Sequence, residues 1–155
     1  MSFHIQGLDP APFIALYGLP IEELAQRGVE RVVADSCPGY PDRIELRDAE
    51  RGERLLLLNH EHLPHDTPYR SRHAIFVREG AETPFDAFNT VPRVLRPRML
   101  SLRAFDARGH MLDADLVEGV QAEARIARLF TNPAVDIIHA HFAKRGCFAA
   151  TIRRA

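Results

Sequence analysis

Residues 139–150 read HAHFAKRGCFAA, placing two histidines, a Lys-Arg-Gly turn and a cysteine in one short stretch. The thiolate is the reactive form of cysteine, and nearby cations raise its share. An imidazole within reach can accept or return the proton. The stretch therefore fits nucleophilic chemistry at Cys147, with His141 as an acid–base partner and His139 and Arg145 as binding groups. A competing reading is structural, because cysteine often serves as a small buried hydrophobe and paired histidines are often simply hydrogen-bonded.

The register of the turn decides which of these side chains share a face. If Lys144-Arg145-Gly146 is a three-residue hairpin loop with Gly146 in the left-handed position, Ala143 lies opposite Cys147 and Phe142 opposite Phe148. Side chains alternate along a strand, so His139, His141 and Cys147 would then share a polar face and the two phenylalanines the other. A two-residue loop would instead put Cys147 beside Phe142. In the bulge register, Cys147 is expected to line the main cavity and to react faster than Cys37.

A second His-x-His stands in NHEHLPHD, residues 59–66. His60 and His62 would lie about 7 Å apart along one strand face, a spacing at which two imidazoles converge on one metal. With His139 and His141 they would form a four-histidine site. Short motifs of this kind arise by chance in a chain with eight histidines, and no later glutamate–histidine pair follows at cupin spacing. The expectation is therefore that no metal is resident and no cofactor is bound.

The third polar cluster is HDTPYRSRHAIFVREG, residues 65–80. Tyr69, Arg70, Ser71, Arg72 and His73 crowd the start of a strand, a common way to build a ligand mouth. Ser71, His73 and Asp66 do not make a hydrolase triad, since no nucleophile elbow is present. His73 joins Cys147 and His141 as a catalytic candidate, and His62, Tyr69, Arg72 and Arg103 as ligand-binding candidates.

These groups require a scaffold, and its pattern is mainly that of strands. Segments 3–8, 29–36, 42–47, 53–62, 71–78, 98–106, 135–143 and 147–154 alternate as strands do. Two short helices are expected within 9–18 and 20–28. Each has proline in its first turn, and acidic residues open the second. DLVEGVQAEARIARLFTNP carries a capping-box-like Asp115 and Glu118 and stops at Asn132-Pro133, which predicts a longer helix near 116–130 with Leu116, Val120, Ala124 and Ala127 on one face. The fold class is thus α+β: one domain, 1–155, with a mainly antiparallel sheet or partly closed barrel of about seven strands.

Composition narrows the partners. The 155 residues carry 20 basic and 21 acidic side chains, a net charge of −1, so nucleic acid meets no general attraction. Arginine dominates the basic residues; Lys144 is the sole lysine. No apolar run approaches the roughly 18 residues that cross a bilayer, and the N-terminal MSFHIQGLDPAP lacks the basic and apolar regions of a leader. Two cysteines far apart suggest free thiols. A cytoplasmic protein with a small-molecule ligand is expected, with no membrane or nucleic-acid partner; its oligomeric state is left open.

TPYRSRHAIFVREG, RPRMLSLRAFDARG and HAHFAKRGCFAA together resemble the bacterial family catalogued as domain of unknown function 1203, over essentially the whole chain. The resemblance implies a bacterial single-domain protein and supplies no reaction, cofactor or catalytic residue. Three functions remain from the residues: a small enzyme using Cys, His and Arg on an anionic or carbonyl-containing molecule; a non-catalytic binding module on the same face; and a histidine-liganded metal site with hydrolytic activity.

Overall fold

The computed structural model describes residues 1–155. Phe3–Gln6 form β1, and the two proline-opened helices follow as α1 (Ala11–Ile14) and α2 (Ile21–Gln26). Glu30–Val33 (β2), Arg54–Leu63 (β3) and Ser71–Arg78 (β4) make an antiparallel three-stranded sheet. Asp86–Phe88 (β5), Met99–Phe105 (β6), Met111–Glu118 (β7), Ile137–Phe142 (β8) and Phe148–Arg154 (β9) join β1 in a six-stranded sheet ordered β5-β1-β9-β8-β6-β7. The helix that the sequence predicts near 116–130 is α3 (Ala122–Leu129), entered through a 3-10 turn at Gly119–Gln121. The class is α+β, with two open sheets in place of a closed barrel.

Burial follows from the alternation. On β8 and β6, Ile138, Ala140, Leu100, Leu102 and Ala104 share a core with Ile126, Leu129 and Phe130 of the α3 region. Each fully buried aliphatic side chain of this kind contributes about 1.5–3 kcal/mol. The intervening residues of the same strands, Ser101 and Arg103 paired with His141 and His139, face the other way, toward the small sheet. A second core joins Phe13 of α1 and Leu24 of α2 to Leu56, Leu58, Ile75 and Val77 of β3 and β4. The polar face of the large sheet therefore meets the histidine end of the small one.

Two segments depart from the sequence pattern. Residues 111–118 form an edge strand, and the buried face of α3 is Ala122, Ile126 and Leu129, leaving Leu116 and Val120 exposed. Gly119 fixes this break: its N–H donates to the Arg98 carbonyl, and a Cβ there would meet the Leu95 carbonyl oxygen at 1.9 Å. Asp115 is not a helix cap: with Asp113 it serves the edge strand as a partner of Arg128.

Segment 42–47, which alternates like a strand, is an irregular crossing between the sheets. Leu46 takes φ 52°, which ends strand geometry, and the buried Asp42 carboxylate accepts the backbone N–H groups of Glu45 and Arg78 at 2.6 and 2.7 Å. Asp42 thereby fixes the neighbouring Arg43 inside the protein.

Candidate functional site

A cavity of about 640 Å³ lies between the edge of β4, the 39–43 segment, the 97–99 approach to β6 and the β8–β9 turn. Arg43, Arg98, Lys144, Arg145, His73 and Cys147 line it, with Phe76, Met99 and Phe142 among its apolar walls and no carboxylate. Arg98 is neutralised from behind by a two-pronged pair with Asp48 at 2.6 and 2.9 Å. Lys144 and Arg145 are exposed at the rim.

Arg43 organises the wall. Only 2% of it is exposed, yet no carboxylate pairs with its guanidinium. Nε donates to the Phe148 carbonyl at 2.8 Å, Nη1 to the Pro41 carbonyl, and Nη2 to Cys147 Sγ at 3.2 Å. Its Cζ and that of Arg98 lie 5.0 and 5.1 Å from the centre of the Phe142 ring. Burial pulls the guanidinium below its ordinary range, but an arginine remains a cation at neutral pH. A buried cation whose partners are two carbonyls and a sulfur is a strong attractor for an anion.

The turn itself corrects the expected register. Gly146 takes the left-handed φ of 81°, as the sequence predicts, but Ala143 joins the turn: the Phe142 N–H donates to the Cys147 carbonyl and the Gly146 N–H to the Phe142 carbonyl. His141 then pairs with Phe148, and a bulge at Ala149 restores the Ala140–Ala150 pairing. Cys147 is thus beside Phe142 in the cavity, and Phe148 joins His139 and His141 between the sheets. No hydrogen bond links Cys147 to a histidine; its side-chain partner is Arg43.

Between the sheets the two His-x-His segments meet. The His62 ring lies 4.9 Å from those of His73 and His141 and 5.5 Å from that of His139. His62 Nε2 and His73 Nδ1 are 2.9 Å apart, and His141 Nδ1 stands 2.9 Å from the Gly146 carbonyl. Since a carbonyl only accepts, Nδ1 carries the His141 proton and Nε2 keeps its lone pair. His141 Nε2, His62 Nδ1 and His139 Nδ1 are buried without partners. Burial, with smaller contributions from neighbouring imidazoles and from Arg103, pushes His62, His139 and His141 down to about 3, so these rings are neutral at pH 7.

The remaining sequence candidates are dispersed. Arg103 sits opposite His139 on β6, donates Nε to Ser101 Oγ at 3.2 Å and pairs with no carboxylate. Arg72 is exposed and donates to Asn59, and Tyr69 packs beside Phe105 and His110; neither lines the cavity. His60 packs between Phe13 and Phe148. Arg43, the central residue of the cavity, is absent from the sequence candidates. Its setting comes from the 42–47 crossing, and the alternation of DRIELR disguises that crossing as a strand.

The family described as Protein of unknown function (DUF1203) matches residues 39–154, and the chain belongs to it. The match spans the cavity and every histidine of the inter-sheet cluster. No curated protein and no solved structure matches the chain. No helix is long and apolar enough to cross a membrane.

Proposed function

We propose that this DUF1203 chain is a small enzyme that holds an anionic, carbonyl-containing molecule in the Arg43 cavity and attacks it with Cys147. The observation that carries the reading is the contact between Cys147 Sγ and a buried guanidinium that has no carboxylate partner, on the wall of a cavity that contains no acid. Arg43, Lys144 and Arg145 attract the substrate anion, while Phe76, Met99 and Phe142 pack its carbon skeleton. The sulfur forms a bond to the carbonyl carbon as the π pair moves onto oxygen. Collapse of that adduct expels the leaving group, leaves a thioester on Cys147, and water then releases the acid. The sulfur attacks as the thiolate paired with Arg43, its proton passing to solvent, and the leaving group takes a proton from water.

A non-catalytic binding module is the second reading, favoured by the lack of any hydrogen bond from Cys147 to an imidazole. Mono-4-nitrophenyl glutarate, an activated ester with a free carboxylate, separates the two. Enzyme action predicts an acyl adduct on Cys147 by intact-protein mass, formed at low salt at least about tenfold faster than from uncharged 4-nitrophenyl butyrate, because a focused positive field raises encounter rates by that order. The adduct disappears in Cys147→Ala. Saturable glutarate binding without an adduct supports the module, and neither adduct nor binding overturns both.

A further inference from the structure

The geometry points to a transition-metal site in the gap between the two sheets, formed by one ring nitrogen each from His62, His73 and His141. Ligand atoms of these three residues lie within 4.8 Å of one another. His141 is the most telling member. Its Nδ1–H is committed to the Gly146 carbonyl, the outer contact that commonly orients a metal-bound imidazole, and its Nε2 lone pair is fully buried with nothing to accept. His62 Nε2 and His73 Nδ1 stand 2.9 Å apart and share one proton. Around a tetrahedral ion with ligand distances near 2.0–2.1 Å, nitrogens sit about 3.3 Å apart. Those two rings therefore need to part by only a few tenths of an ångström, the donor of the pair moving its proton to its other ring nitrogen so that both ligate as neutral imidazoles, while His141 closes toward them.

The ligand set selects the ion. Three neutral imidazoles with neither carboxylate nor thiolate suit zinc, cobalt(II), nickel or copper, and do not suit magnesium or calcium. Three protein ligands also leave a fourth position open, as in hydrolytic zinc sites. His73 lines the cavity as well as the gap, so the open position would be reached from the substrate side. Arg103 opposes a dication, and it also has no carboxylate of its own, so an anion carried on the metal would answer both charges.

The site differs from the quartet that the two His-x-His motifs suggest on their own. His73 enters from the neighbouring strand, His60 is occupied by Phe13 and Phe148, and His139 lies outside the three-nitrogen group. The proposal runs against the expectation of no resident ion, because convergence in space supplies what short motifs lack.

The test is cobalt(II) titration of metal-stripped Cys147→Ala protein, in which the thiol cannot serve as a ligand and the cavity chemistry plays no part. One equivalent of cobalt(II) should bind with the intense visible bands of a four-coordinate centre, zinc should displace it, and the thermal midpoint should rise with either ion. His73→Asn, on a partly exposed strand position, should weaken binding at least about tenfold, as loss of even an outer-shell partner does; His141→Asn should do the same. His4→Gln, on the distant β1, should leave it unchanged. Absence of the bands at one equivalent, or wild-type affinity in folded His73→Asn, overturns the site. Because none of these readouts uses the ester or Cys147, their failure leaves the cavity reading standing, and the reverse also holds.

Discussion

Acidification of the metal-free protein should destabilise it steeply between pH 6.5 and 4, before most carboxylates titrate. His62, His139 and His141 titrate near 6.5 when unfolded and at about 3 when folded, so across that window the unfolded chain binds more protons. Unfolding free energy rises with pH wherever the unfolded state holds the extra protons. The histidine contribution is therefore complete above pH 6.5, falls as pH drops through the window and levels off near 3. Each fully neutral buried histidine contributes a slope of about 1.4 kcal/mol per pH unit, less for the more solvated His62, so several kcal/mol are lost by pH 4.

Two carboxylates provide contrast. Asp42, raised by burial, works in the opposite direction, since its folded form gains a proton first as pH falls. Glu53, held at about 2 mainly by its hydrogen bonds to Arg47, contributes only below about pH 4.5. His60 and His73, also lowered by burial, act in the same direction, so five histidines against one aspartate decide the sign above pH 4.5. Urea unfolding across pH 7.5–4.5 in the presence of a chelator measures the slope, and His139→Phe should remove about a fifth to a third of it. A flat profile from 6.5 to 5 would mean that the rings are hydrated or already charged.

Arg43→Met should be the most damaging single change at the cavity. The methionine fills much of the volume, but the Phe148 and Pro41 carbonyls lose their donor inside the protein. Each stranded buried acceptor costs about 1–3 kcal/mol, so the two together give a stability loss of about 2–6 kcal/mol, read as a lower denaturant midpoint at unchanged m-value. Arg43→Lys keeps the charge without the planar fork and can satisfy only part of the three-way contact, so it should recover a fraction of the stability. A midpoint within 0.5 kcal/mol of the parent, the usual scatter of surface substitutions, would contradict the role assigned to Arg43.

Much of the frame is legible in local pattern. Ser71–Arg78 is a strand because SRHAIFVR alternates, the two short helices start at prolines, and Gly146 turns left-handed where the Lys-Arg-Gly loop demands it. The less legible features depend on distant partners. DLVE carries the composition of a helix start, but pairing with β6 and the close approach of Gly119 to Leu95 make it an edge strand. The β8–β9 register turns on whether Ala143 enters the turn, and no residue nearby marks the compensating bulge at Ala149. Both His-x-His motifs are visible in the sequence, yet the nitrogen that completes the cluster comes from His73, across a strand pair. Arg43 is hidden most thoroughly, because its importance comes from burial between two sheets.

A positive field around Cys147 underlies anion capture in the cavity, and paired alkylation rates test that field directly. Iodoacetate and iodoacetamide attack the same thiolate and differ in charge, so the ratio of their rates at one cysteine cancels its ionised fraction. Cys37 supplies the internal reference: it is exposed, and its charged neighbours are three carboxylates, Glu50, Asp48 and Glu53, against one cation, Arg47. The rate ratio of iodoacetate to iodoacetamide should be at least about tenfold higher at Cys147 than at Cys37 at low ionic strength, should fall with salt, and should collapse in Arg43→Met. Equal ratios at the two cysteines, or a ratio at Cys147 indifferent to salt and to Arg43, would contradict an anion-binding cavity.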